Sequence, residues 1–172
     1  TESSKLCEIM FDLSSIDTEL PKSEHYALLA QQLEAVLCGE SNLIANAANM
    51  SALVFNNVPD LNWSGFYLFD GTELVLGPFQ GKVACVRIAL DRGVCGAAAR
   101  TRTTQLVPDV HDFPGHIACD VASRSEIVIP LLQGEQLIGV WDVDSPLANR
   151  FDQEDRIGME RLCAIWLASL AK

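Results

Sequence analysis

The chain has 172 residues, 49% of them hydrophobic, enough for one domain with a substantial core and too few for two comfortable ones. A formal net charge of -11 argues against nucleic-acid binding, which needs clustered Lys and Arg to meet a phosphate backbone. No run of about 18 apolar residues could form a membrane span, and no charged-then-apolar leader precedes the first helix, so a cytoplasmic protein is expected.

Residues 1–22 mix Ser, Glu, Asp and Lys around a short apolar patch and close on Leu20-Pro21, which reads as an arm of loose structure ahead of a domain at 23–172. Cys7 falls in this arm and reads as a bystander thiol. Ser23 is a candidate N-cap for a helix carrying Tyr26, Leu29, Ala30, Leu33, Val36 and Leu37 at helical spacing, with Gly39 as its stop. Cys38 would be its last residue, packed as a small hydrophobe. Ser41 can cap a second helix whose apolar side runs from Leu43 and Ile44 to Leu53 and Val54 and which ends near Asn56-Asn57.

From Asn62 the hydrophobic period changes to two. Residues 63–69 read as a strand, Asp70-Gly71 as a turn and 73–76 as a second strand, forming a hairpin. Trp63, Gly65 and Tyr67 share one face, and the glycine leaves space between two aromatic rings. That space suits either ordinary core packing or a slot for a small apolar group. Residues 77–81 read as a loop and 83–88 as a strand with Val83, Cys85 and Arg87 on one face. A helix entered at Gly93 would put Cys95 near unpaired N–H groups and the positive end of a dipole, a placement that lowers a thiol pKa. Plain packing of a small side chain is the other reading for Cys85 and Cys95.

Residues 104–107 read as a strand leading to the turn-rich stretch 113–120, where Cys119 follows a Pro-Gly turn amid His116, Asp120 and Arg124. An accessible cysteine among charges is a candidate reactive centre; a loop cysteine without a role is the alternative. A largely buried strand at 126–131 contains Pro130, which suggests an edge or a bulge. In the strand at 136–144, alternation puts Ile138, Val140, Asp142 and Asp144 on one face. With Glu126 across the hairpin, the two aspartates could form an acidic mouth for an ammonium group, although a solvated strand end would show the same spacing. Asp152 can cap a last helix, with Cys163 inside its apolar stripe.

The six cysteines, Cys7, Cys38, Cys85, Cys95, Cys119 and Cys163, contain no CxxC and no metal-ligand pairing, which argues against structural zinc. In a reducing cytosol such cysteines either fill the core or do redox chemistry. The element order predicts an α+β domain, helices packed on an antiparallel sheet.

Several segments, in one order, resemble the free methionine-(R)-sulfoxide reductases. They are Asn62-Trp63-Ser64-Gly65-Phe66-Tyr67, the run from Gly77 through Cys85, Gly93-Val94-Cys95-Gly96, Phe113 to Asp120, Ser123 to Val128, and Asp142-Val143-Asp144-Ser145-Pro146. The resemblance spans roughly Tyr26 to Trp166, leaving out the N-terminal arm. It implies a single GAF-like domain, commonly a homodimer, that reduces free L-methionine-(R)-sulfoxide with thioredoxin as electron donor and with no metal or organic cofactor. It further implies Cys119 as nucleophile, Cys85 as resolving thiol and Cys95 as a further relay thiol. Glu126, Asp142 and Asp144 would divide ammonium binding and protonation of the sulfoxide oxygen, while Trp63 and Tyr67 would hold the methyl group. The alternatives are a GAF-type module that binds a small molecule without chemistry, against which the cysteines sit in reactive contexts, and a peroxide sensor switching through Cys119 and Cys85; fold alone does not separate them.

Overall fold

The computed structural model describes residues 19–115 and 122–171. Its frame is an antiparallel six-stranded sheet of β1 (Trp63–Phe69), β2 (Leu74–Gly81), β3 (Arg87–Ile88), β4 (Gln105–Val107), β5 (Ser125–Gln133) and β6 (Gln136–Ser145). The spatial order is β3-β2-β1-β6-β5-β4, so the first hairpin and the last meet at the β1–β6 seam. The helices are α1 (Lys22–Val36), α2 (Leu43–Asn57), α3 (Gly93–Thr101) and α4 (Gln153–Ser169), with a 3-10 turn at Val110–Asp112. This is the expected α+β class.

Alternation along the strands divides the core in two. One face, with Phe66, Ile127, Ile129, Trp141 and Val143, packs against α1, α2 and α4. The Phe66 ring lies 4.8 Å from the Trp166 ring of α4. The other face, with Trp63, Tyr67, Val128 and Val140, is covered by Val94, Cys95, Ala98 and Ala99 of α3 and by Val110. Every expected functional residue of the strands belongs to this second face or to its rim.

The helix termini follow local hydrogen bonding. Asp152 and Asp155 form a reciprocal capping box on α4, as the sequence predicts. Asp155 is fully buried and binds Lys22 Nζ at 2.6 Å, Tyr26 Oη at 2.8 Å and Arg150 Nη1 at 3.3 Å, tying α1 to the start of α4. Two expected caps are corrected. α1 starts at Lys22 behind Pro21, whose fixed φ suits a helix start, so Ser23 lies inside the first turn. For α2 the cap is Asn42 rather than Ser41, because the Asn42 side chain reaches the Ala45 N–H.

Three strand readings are corrected as well. β2 does not stop at Leu76 but runs through Gly77 and Pro78, where the register shifts between Gly65 and Tyr67 of β1; Phe79 then pairs with Gly65. The Gly-Pro pair is thus a bulge, where a missing N–H costs no ladder bond. The expected strand at 83–88 shrinks to Arg87–Ile88, and residues 82–86 form an irregular strap. In β6 a second shift, opposite Leu131/Leu132, leaves Ile138 as the extra residue. Leu137 therefore packs with Val140 on the second face, while Ile138 packs on the first. Pro130 lies beyond the end of β4, where β5 has become an edge, and next to that bulge, in accord with its reading.

Cys163 is a buried free thiol, as expected. Cys38 is not a packed helical thiol: α1 ends at Val36, and Cys38 lies half-buried in the next turn, disulfide-bonded. Of the expected arm at 1–22, residues 1–18, with Cys7, lie outside the described residues. No helix among the described residues is long and apolar enough to cross a membrane.

Candidate active site

Register, more than alternation, assembles the site. Trp63 pairs with Asp144 across the β1–β6 seam, Asp144 pairs with Glu126, and Glu126 pairs with Val107. One rung along, Gly65 pairs with Asp142 and Asp142 with Val128. Glu126, Asp142 and Asp144 therefore occupy adjacent rungs of one face, with Trp63 and Tyr67 on the neighbouring strand. The expected acidic trio forms, but it is not a solvated strand end: Glu126 and Asp142 are each only 6% exposed.

Two carboxylates so placed cannot both be comfortably charged. Burial pushes Asp142 up to about 7, against hydrogen bonds with Glu126 and with the Cys95 thiol that favour its charged form. Burial, then the charges of Asp142 and Asp144, hold Glu126 well above the usual carboxylate range. Glu126 thus keeps its proton and shares it with Asp142, whose Oδ1 is left without a hydrogen-bond partner. The pair is a proton reservoir with an open acceptor position.

Cys95 joins the carboxylates from α3. It stands in the first turn, as expected, but the inferred lowering of its pKa is corrected. Burial comes first and the charges of Asp142, Glu126 and Asp144 follow, and together they push the thiol well up. A helix terminus contributes about 0.3–1 kcal/mol at an exposed site, too little to oppose full desolvation beside acids. Potential ligand atoms of Cys95, Glu126 and Asp142 lie within 4.8 Å of one another, so the trio could hold a cation. Binding a metal through Cys95 would first require removing its proton.

The space beside Gly65 is closed. The Trp63 ring stacks on Tyr67 at 5.8 Å and on Phe79 at 5.3 Å, and a Cβ on Gly65 would strike both the Trp63 ring and Phe79. The glycine's missing side chain is filled by indole rather than left as a slot between rings. Phe79, read as a loop residue, extends this aromatic stack; the signal for it was Leu74, Leu76 and Phe79 spaced as a strand with one residue inserted.

The same two aromatics hold the 82–86 strap. Trp63 Nε1 donates to the Lys82 carbonyl at 3.1 Å, and Tyr67 Oη donates to the Cys85 carbonyl at 3.0 Å. Leu76 N donates to the Val86 carbonyl at 2.9 Å. Cys85 is half-buried against the second core and disulfide-bonded, whereas Cys95 and Cys163 are free thiols. No feature of the sequence pointed to this bracing, because it joins side chains of one strand to carbonyls of an irregular segment.

Cys119, with His116 and Asp120, lies outside the described residues. The flanks of that segment are anchored. The Gly115 carbonyl accepts from Gly93 N at the start of α3, and the Arg124 carbonyl accepts from Val110 N. The Arg124 guanidinium donates to Asp109 at 2.7 Å, and His111 lies 2.8 Å from the same carboxylate. These contacts hold Asp109 below the usual carboxylate range. Arg124, read as a cation beside Cys119, is thus paired with Asp109.

An antiparallel sheet with three helices on one face and a small, partly acidic site on the other is the arrangement of a GAF domain, and the GAF domain family model matches residues 17–165. Among individual proteins, the free methionine-R-sulfoxide reductase of Escherichia coli is 52% identical over 143 residues, 83% of this chain and 87% of that protein. A GAF protein of Burkholderia vietnamiensis superposes with a TM-score of 0.85 at 61% identity, over 89% of this chain and 100% of that one. The free methionine-R-sulfoxide reductase of Neisseria meningitidis, solved in complex with its substrate, superposes with a TM-score of 0.87 at 39% identity, over 92% of this chain and 95% of that one. The chain belongs to the free methionine-R-sulfoxide reductase family of GAF domains.

Proposed function

We propose that this protein is an enzyme that reduces free L-methionine-(R)-sulfoxide to L-methionine through a thiol cycle recharged by thioredoxin. The observation that carries the reading is the buried Glu126–Asp142 pair, sharing a proton on the same face whose aromatics brace the strap of Cys85. A sulfoxide oxygen must gain a proton as its sulfur is attacked, and a carboxyl kept neutral by burial is suited to supply it.

Cys119 is assigned as nucleophile from the resemblance of residues 113–120. Its thiolate attacks the sulfoxide sulfur while Glu126 protonates the oxygen; methionine leaves and Cys119 becomes a sulfenic acid. The Cys85 thiol then attacks the Cys119 sulfur, releasing water and forming a disulfide. A dithiol reductant returns two electrons and two protons. The disulfide-bonded state of Cys85 supports its part as resolving thiol.

Asp142, with an unpartnered oxygen, and Asp144 receive the substrate ammonium. The resemblance assigns the methyl group to Trp63 and Tyr67, whose rings stack on each other and close the space beside Gly65, so a methyl would meet their edges rather than enter a slot between them. Cys95 is the protonated donor that holds Asp142; the relay role implied by the resemblance is to be tested with Cys95→Ser. No cofactor enters the cycle. Residues 23–172 form the catalytic unit, with 1–22 as an arm, in a cytoplasmic homodimer.

The test is methionine released by the reduced protein, without added reductant, from separate R and S epimers of free methionine sulfoxide. Near one methionine per chain from the R epimer alone, with loss of thiols, is expected. No methionine from either epimer, with thiols intact, would leave a binding module without chemistry.

A further inference from the structure

We propose that the strap at residues 82–86 is the docking edge for the dithiol oxidoreductase that reopens the Cys85 disulfide, with the side chains of Val83 and Val86 as its apolar contacts. The inference rests on the thiol cycle above and adds the surface that its reductant recognises.

Val83 is 88% exposed and Val86 63%, and these are two of the six large hydrophobic side chains exposed among the described residues. Both lie within two positions of a disulfide-bonded cysteine. Burying a valine removes apolar surface from water, a stabilisation that the isolated fold forgoes here and that an arriving partner can recover. The nearest charges do not oppose such a contact. Arg87 is paired with Asp70 at 3.1 Å and Glu73 at 2.8 Å, so the cation next to Val86 is compensated, and the exposed Lys82 next to Val83 completes a polar rim beside an apolar edge.

The strap is also ready for docking. Its carbonyls at Lys82, Cys85 and Val86 are held by Trp63, Tyr67 and Leu76, so its backbone is fixed before a partner arrives and little ordering entropy is lost on contact. These bonds come from β1 and β2, and Cys85 is only half-buried against the core, so the residue is not sealed from an incoming thiol.

The chemistry is two exchanges. A reductant thiolate attacks Cys85 Sγ, forming an intermolecular disulfide and releasing the former partner sulfur as a thiolate that takes up a proton. The second reductant thiol then attacks its own neighbour's sulfur, expelling Cys85 as a thiolate and carrying the disulfide away.

The test compares the full chain with the Val83→Ser/Val86→Ser double variant, driving methionine formation either with thioredoxin, thioredoxin reductase and NADPH or with dithiothreitol. The expected result is a rise of about tenfold in the KM for thioredoxin, equivalent to roughly 1.4 kcal/mol of lost contact, with dithiothreitol-driven turnover unchanged. An unchanged KM for thioredoxin would overturn the docking edge, and so would an equal loss with dithiothreitol. Ile44→Ser, at an exposed apolar position on α2, should leave the thioredoxin KM alone; a similar rise there would also overturn it. Absence of methionine from the wild type with dithiothreitol would instead refute the thiol cycle itself.

Discussion

The Tyr67 hydroxyl donates to the Cys85 carbonyl at 3.0 Å, so a ring in the wall of the site also positions the backbone of the cysteine assigned to resolve the reaction. Tyr67→Phe removes that bond and keeps the ring. Methionine release in a single turnover should stay near the wild-type rate, while loss of the second thiol slows several-fold. Following both products in one time course separates this positioning effect from general damage, which would slow both. Stability should fall by about 1 kcal/mol, the usual worth of one such bond.

Cysteine roles separate by turnover number. Cys119→Ser should abolish single-turnover methionine formation. Cys85→Ser should retain one turnover and lose recycling by thioredoxin. Cys95→Ser keeps a donor to Asp142, so one turnover should persist, and any loss of recycling measures a relay role. Equal single-turnover yields in the wild type and Cys119→Ser would reject the assigned nucleophile.

Asp142 links stability to pH. Its folded-state value, about 7, lies above its ordinary 3.8, so between these values the folded protein binds more protons than the unfolded chain. Unfolding free energy should therefore fall as pH rises from about 4 to about 7. Asp142→Asn removes this titration and should flatten the fall. Urea unfolding of both proteins at several pH values within the window is the measurement; parallel curves would show that the buried acid titrates elsewhere.

Gly65→Ala places a methyl group against Phe79 and the Trp63 ring. Overpacking of this kind costs about 1–3 kcal/mol, and each kcal/mol lowers Tm by about 2–4 °C in a chain of this size. Calorimetry should show the drop, together with weaker activity, because the displaced indole also releases the Lys82 carbonyl.

Asp155→Ala tests the tie between α1 and α4. Removing a fully buried carboxylate strands the Tyr26 hydroxyl and takes the buried counter-charge from Arg150, which is left with the Pro59 carbonyl and a distant Asp60. Loss of one partner in a buried ion pair costs roughly 3–5 kcal/mol. Chemical denaturation should show that loss, with catalysis per folded molecule unchanged, since these groups lie on the opposite side of the sheet from the acidic site.

Much of the fold was legible along the chain. The change of period at Asn62, the Asp70-Gly71 turn, the Asp152 cap and the strand of Asp142 and Asp144 are consequences of side-chain spacing and local hydrogen bonding, which act over a few residues. So is the placement of Trp63, Gly65 and Tyr67 on one face. The misread caps at Ser23 and Ser41 were contests between adjacent residues, decided by the ring of Pro21 and the reach of Asn42.

The remaining features arise from contacts between residues far apart in sequence. Bulges at Gly77-Pro78 and at Ile138 reset the alternation, and a shift by one residue moves every following side chain to the other face. Register alone brings Asp144 opposite Glu126, and packing of α3 brings Cys95 to Asp142. Burial then reverses the effect expected of a helix terminus on that thiol, because desolvation beside two acids outweighs a dipole. The bracing of Cys85 by Trp63 and Tyr67 likewise exists only once β1 and the strap lie side by side. Residue types and spacing specify which groups are available, whereas their protonation depends on the neighbours and the loss of water that folding imposes.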